Sequence, residues 1–273
     1  MSARWSLVVS TLLVASAVNA QDRTECDDKG WGWGWRGGPR GHVCEVRELT
    51  VPATGTVSVD AGQNGSIGVT GENRRDAQVR ARVQAWGSDE AEAERIAAAV
   101  TIRSDGVLRA EGPDRGGRTG WSVSFDLLVP RETDLKLETN NGGIAIENVR
   151  GDLAFEATNG GISLDGVAGN VRGRTTNGGV DASLAGDTWE GEGLDLTTTN
   201  GGVRLRIPDD YSARLETGTV HGGIDVDFPV TVQGRIGREF STTLGKGGPL
   251  VRVKTTNGGV RVTRGRAGLT RIE

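Results

Sequence analysis

Of 273 residues, 44 are glycine and only 4% are aromatic, a composition that argues against a thick globular core and for many turns with small interior side chains. The formal net charge is −4, and acidic and basic residues are interspersed along the chain. No basic cluster of the kind that tracks a phosphate backbone is present, so a nucleic-acid partner is not implied.

Residues 1–20 read as an export signal. Arg4 gives a short positive start, Leu7 to Ala17 an apolar run, and Val18-Asn19-Ala20 a small-residue cleavage site. That run is shorter than the roughly 20 apolar residues of a spanning helix, so a membrane anchor is not expected. The expected destination is the periplasm, or the outside of the cell or its surface.

Residues 21–45 form a segment rich in glycine and tryptophan. Cys26 and Cys44 flank it, and in an oxidising compartment one disulfide is expected to close it, worth about 3 kcal/mol by loop entropy. Between them lies Gly30-Trp31-Gly32-Trp33-Gly34-Trp35, followed by Arg36. In an extended strand the three indoles share one face. They form either a sticky strip for sugar rings or a hydrophobic partner, with Arg36 assisting, or a lid over the end of the fold.

Residues 46–130 alternate like strands over Thr50–Val59 and Ser66–Thr70, and Asn64-Gly65-Ser66-Ile67 looks like a degenerate copy of the corner described next. Residues 88–100 predict a helix, capped by Ser88 or Asp89, with Ala93, Ile96, Ala97 and Val100 along one stripe. Thr101–Ala110 reads as a hairpin around Asp105-Gly106 and Trp121–Val129 as a further strand.

From residue 131 to 273 a repeat takes over. Asn-Gly-Gly begins at Asn141, Asn159, Asn177, Asn200 and Asn257, and His221 opens a variant. The first three are 18 residues apart; the later gaps are 23, 21 and 36, the last read as two units of 18. Aligned on the glycines, the units share a period of two, with Thr139, Ala157, Thr175, Thr198, Thr219 and Thr255 in one column and Ile144, Ile162, Val180, Val203, Ile224 and Val260 in another. Each unit is thus strand, tight corner, strand, with one face inward. Glycine suits a corner that needs positive φ, asparagine tolerates it best among the rest, and stacked asparagines can bond to one another. Eighteen ordered residues cost about 1–2 kcal/mol each, more than five or six buried side chains return, so units must stack. The expected fold is all-β, a parallel β-solenoid of repeats of about 18–23 residues with one short helix in its N-terminal half. Direct stacking in chain order would set Asp181, Arg204 and Asp225 opposite one another, Glu156 beside Arg174 and Arg172 beside Asp195. Residues 229–250 read as a long loop or a degraded coil.

The segments Thr139-Asn140-Asn141-Gly142-Gly143-Ile144, Ala157-Thr158-Asn159-Gly160-Gly161-Ile162 and Thr255-Thr256-Asn257-Gly258-Gly259-Val260 resemble the "putative adhesin" family of exported bacterial β-strand-repeat proteins, a domain of unknown function. The resemblance covers roughly Val46 to Val262 and implies a β-helix-like fold with no established catalytic residues. The cysteine loop and its Trp-Gly run lie outside it.

Nothing in the chain assembles into a catalytic motif. His42 and His221 are the two histidines, and His221 occupies an Asn position of the repeat. Gly-x-Ser-x-Gly, zinc spacings and a phosphate loop are absent. The reading is therefore a non-enzymatic protein without cofactor or metal, an envelope interaction, scaffold or adhesin-like module for an unidentified protein or glycan. A glycan-active β-helix enzyme and an end-to-end self-assembling protein are the alternatives.

Overall fold

The architecture is that of a computed structural model, which describes residue 26 and residues 41–229 and 238–265. The export signal, Trp31, Trp33, Trp35 and Arg36 lie outside these residues. Among the described residues the chain forms two ten-stranded sheets and one helix.

The N-terminal part runs β1 (Gly41–Pro52), β2 (Val57–Asp60), β3 (Ile67–Glu72), β4 (Asp76–Gly87), α1 (Glu90–Ala99), β5 (Thr101–Arg103), β6 (Leu108–Glu111) and β7 (Gly120–Pro130). The expected strand over Thr50–Val59 is instead two strands in different sheets. Pro52 has no N–H to continue a ladder, and Gly55 turns the chain at φ +97°. β1, β4 and β7 pair antiparallel, so the architecture is not parallel throughout. β5 and β6 form the hairpin expected around Gly106.

Helix α1 begins at Asp89, whose carboxylate accepts from the Glu92 N–H, while Ser88 bonds the Glu92 carboxylate. Gly41 and Gly87 face each other across β1 and β4, and a Cβ on either would strike the first turn of the helix. At the far end Arg47 of β1 donates to the carbonyls of Ala97, which also accepts from the Val100 N–H, and of Val100, the C-cap, while the last turn itself has no basic residue. Ala93, Ala97 and Val100 are buried, as are Ala77, Val79, Ala81, Val83 and Ala85 of β4. Small side chains in β4 suit a helix held close.

The repeat region follows as β8 (Leu135–Asn141), β9 (Ile144–Glu147), β10 (Arg150–Asn159), β11 (Ile162–Asp165), β12 (Ala168–Asn177), β13 (Val180–Ser183), β14 (Gly193–Asn200), β15 (Val203–Ile207), β16 (Ala213–His221), β17 (Ile224–Val226), β18 (Glu239–Leu244), β19 (Leu250–Asn257) and β20 (Val260–Arg264). Each unit gives the strand before its corner to one sheet and the strand after it to the other. Successive units pair parallel and in register, Leu135 on Leu153 on Val171 on Leu194, and Ile144 on Ile162 on Val180 on Val203. The degenerate corner at Asn64 belongs to this column, since β3 pairs with β9 and Asn64 bridges Asn141. Inward side chains of both sheets join one continuous buried cluster.

Stacking departs from chain order at one place. β19 and β20, which carry Asn257, lie between the Asn200 unit and the His221 unit, so β14 pairs with β19 and β19 with β16. The gap of 36 residues is accordingly not two units of 18. It contains β18, where a loop or degraded coil was expected, and β18 runs antiparallel on the far side of β16. Residues 245–249 pass beneath the start of β16, held by Ser212 Oγ and by the Arg214 N–H bonded to the Pro249 carbonyl.

Candidate functional site: the corner ladder and the outer faces

The Asn-Gly-Gly corners fall in register into a column. The Nδ2 of each asparagine donates to the Oδ1 of the one before it, Asn141 to Asn64 at 3.0 Å, Asn159, Asn177 and Asn200 each to its predecessor at 2.8 Å, and Asn257 to Asn200 at 2.7 Å. His221 holds the next register position, opposite Asn257. All these side chains are exposed except that of Asn64, which is half-buried. The amides point the same way along the stack, as in the side-chain ladders of cross-β arrays.

The first glycine of each corner is required by proximity rather than by a positive φ. Gly142, Gly160, Gly178 and Gly201 do not adopt the left-handed region, which corrects the reason given for them from turn chemistry. A Cβ on any of the four would lie almost on top of the glycine carbonyl oxygen of the preceding layer. The second glycine is looser, with 3.2–3.5 Å at Gly143, Gly161, Gly179, Gly202 and Gly259.

Behind the corner runs a ladder that periodicity alone did not disclose. Oγ1 of Thr139, Thr175, Thr198, Thr255 and Thr219 donates to the carbonyls of Gly65, Gly160, Gly178, Gly201 and Gly258, at 2.6–2.8 Å. These hydroxyls are buried, so the column of threonines is neither apolar filler nor a site open to solvent. Ala157 interrupts it and offers nothing to Gly142. One step inward, Phe155 fills the space of two layers, because a Cβ on Gly173 would enter its ring. On the opposite side of the stack Trp189 replaces the smaller Val149 and Val167, and its indole N–H bonds the Gly169 carbonyl at 2.9 Å. Tyr211 is fully buried there, and burial, aided by Asp187 and Glu190, pushes its hydroxyl well above the ordinary tyrosine range.

Two outer faces remain. On the sheet carrying β9, β11 and β13, the second glycines border shallow grooves of about 420 Å3 around Gly68, Ala145 and Ser163 and about 540 Å3 around Arg204, Asp225 and Arg261. On the other sheet a depression of about 330 Å3 opens over Ala154 and Gly173, edged by Lys136, Glu138, Glu156, Arg172 and Arg174. Most outward charges are paired. Arg174 meets Glu156 at 2.6 Å, which pushes the Arg174 guanidinium up, and Asp195 does the same for Arg252. Asp181 takes both Arg204 and Arg206, and Asp225 takes Arg261.

One of the charge placements expected from chain-order stacking is therefore corrected. Arg204 stands beside Arg261 rather than Asp225, because the Asn257 layer intervenes. Arg172 is in register with Asp195, yet the carboxylate is held by Arg252 on the next strand. Cys26 and Cys44 are joined by a disulfide, and Cys44 stands within β1. Among the described residues no group of three or more His, Cys, Asp or Glu is placed to hold a metal ion, and no helix is long and apolar enough to cross a membrane.

The model of one family, Toastrack DUF4097, matches residues 122–263, which contain every Asn-Gly-Gly corner. The chain belongs to the Toastrack DUF4097 family. No curated protein sequence matches it. Among solved structures, a putative cell adhesion protein from Clostridium sporogenes is similar at 11% identity and a TM-score of 0.42, covering 82% of this chain and 100% of that one. A putative adhesin from Bacteroides fragilis gives 12% identity and 0.32, covering 81% and 97%. A putative lipid binding protein from Parabacteroides distasonis gives 9% and 0.29, covering 82% and 97%. The Toastrack match begins within β7, so β1, β4 and α1 lie outside it.

Proposed function

We propose that this Toastrack protein is an exported, non-catalytic module of the bacterial envelope, an adhesin-like or scaffold element whose repeats form one continuous β-solenoid. The single observation that carries this reading is the use of polar groups. Corner asparagines and threonines are engaged in ladders within the stack, and outward carboxylates such as Asp181, Glu156 and Asp195 are engaged by arginines. Catalysis needs a poised acid, base or nucleophile; these groups serve the fold and its solubility instead. A stiff body with long faces patterned at the strand spacing suits recognition.

Export is supported by the character of residues 1–20 and by the disulfide, which persists in oxidising compartments. We further propose the lid role for Trp31, Trp33 and Trp35; the disulfide from Cys26 to Cys44 in β1, the outermost strand of its sheet, supports it. Immobilised protein challenged with envelope fractions and a glycan array tests the function. Saturable retention of a protein or saccharide is the expected result, and no retention of any component rejects it.

A further inference from the structure

We infer that the depression over Ala154 is a subsite for an acidic sugar, with Arg172 gripping its carboxylate. The inference rests on the recognition role proposed above and supplies the ligand class that role leaves open. In register across three strands stand Lys136, Ala154 and Arg172. Adjacent strands are about 4.8 Å apart, so two cations face each other over a methyl group at roughly 10 Å between backbones. Ala154, whose outward side chain is a single methyl group, keeps the floor low between them.

The charges around this floor are unequal in their commitments. Arg174 is tied to Glu156 and Asp195 to Arg252. Lys136 reaches only Glu138 on its own strand, an exposed pair at 3.1 Å of the kind worth under about 1 kcal/mol. Arg172 has neither an ion pair nor a hydrogen bond among the described residues. An exposed guanidinium with all five donors unused, beside a shallow floor, matches a carboxylate in bidentate geometry. Glu138, Glu156 and the Thr197 hydroxyl at the rim are acceptors for hydroxyl groups. One anion surrounded by hydroxyls is the chemistry of a uronic acid.

Calorimetric titration of the full-length protein with tetragalacturonate and with its methyl ester, at low ionic strength, tests this. The acid is expected to bind at least tenfold more tightly than the ester and to weaken as salt is added. Arg172→Ala is expected to lose at least tenfold in affinity for the acid, while Arg261→Ala, on the other sheet, leaves it unchanged. Equal affinity for acid and ester, undiminished binding by Arg172→Ala, or no binding by the wild type overturns the subsite. Retention of envelope components that persists in Arg172→Ala would sink this inference alone, whereas a wild-type protein that retains nothing sinks the recognition role beneath it.

Discussion

The two ends of the molecule build a β-core by opposite rules. In the repeat stack most inward and corner side chains meet their own kind above and below, asparagine on asparagine, threonine on glycine carbonyl, aliphatic on aliphatic. In the N-terminal part β1, β4 and β7 run antiparallel, one helix covers them, and each contact occurs once, such as Arg47 on the helix carbonyls or Arg115 over the Trp121 ring at 4.0 Å. An oversized side chain in a column presses on both neighbouring layers, and Phe155 fits only because Gly173 lies beside it. A unique contact fails alone.

The sharpest break in that contrast is expected from glycines. Gly178→Val drives a side chain into the Gly160 carbonyl, and backbone on both sides would have to move. A loss of about 3 kcal/mol or more is expected in denaturant unfolding. Gly117→Val, in the loop before β7 with open space around it, should change the midpoint little. Equal effects at the two sites would refute the idea that close layers, rather than turns, demand the corner glycines.

A middle-sized effect belongs to the buried hydroxyl ladder. Thr198→Val keeps the shape but leaves the Gly178 carbonyl without its donor, for an expected loss of about 1–3 kcal/mol. Ala157→Thr completes the column at Gly142 and is expected to gain about 0.5–1.5 kcal/mol in the same assay. A stabilised Thr198→Val would show that the hydroxyls are passengers.

The smallest expected effect lies in the N-terminal region. Hydrogen bonds from the Ser88 hydroxyl and N–H, opposed by slight desolvation and aided by Arg95, hold the Glu92 carboxyl below its ordinary value. A depressed carboxylate stabilises the fold above its unfolded pKa, and that contribution disappears as pH falls through the folded value. Ser88→Ala should move the Glu92 titration upward when followed by NMR, and should lessen the loss of helix on acidification. An unmoved titration curve would mean that Ser88 does not bond this carboxylate in solution.

Much of the stack was legible in the sequence because a column writes the same residue type at the same place in every unit. The helix was legible for a related reason, its cap and its stripe being local. What escaped was everything that depends on which layer lies beside which. No local signal distinguishes a unit inserted between two earlier ones from a unit added at the end, so the place of Asn257 and the neighbour of Arg204 on that side were misread. β18 escaped because an edge strand of Glu239-Phe240-Ser241-Thr242-Thr243-Leu244 carries no corner. β4 was missed although Ala77, Val79, Ala81, Val83 and Ala85 alternate plainly, since alanine is a weak marker of a strand. The threonine ladder was visible as a column, but its hydrogen bonds depend on glycine carbonyls that only the stacked backbone brings within reach.

The interposed position of β19 and β20 has a consequence for biosynthesis. Translation delivers the His221 unit before the strands that must lie between it and the Asn200 unit. Growth of the stack during synthesis therefore halts at β14 and β15, and the last two layers close together only after residues 250–264 have emerged. A chain cut between Ile207 and Leu250 would lack the strands that pair with β14 and β15 in the intact molecule, an invitation to aggregation that the final threading removes.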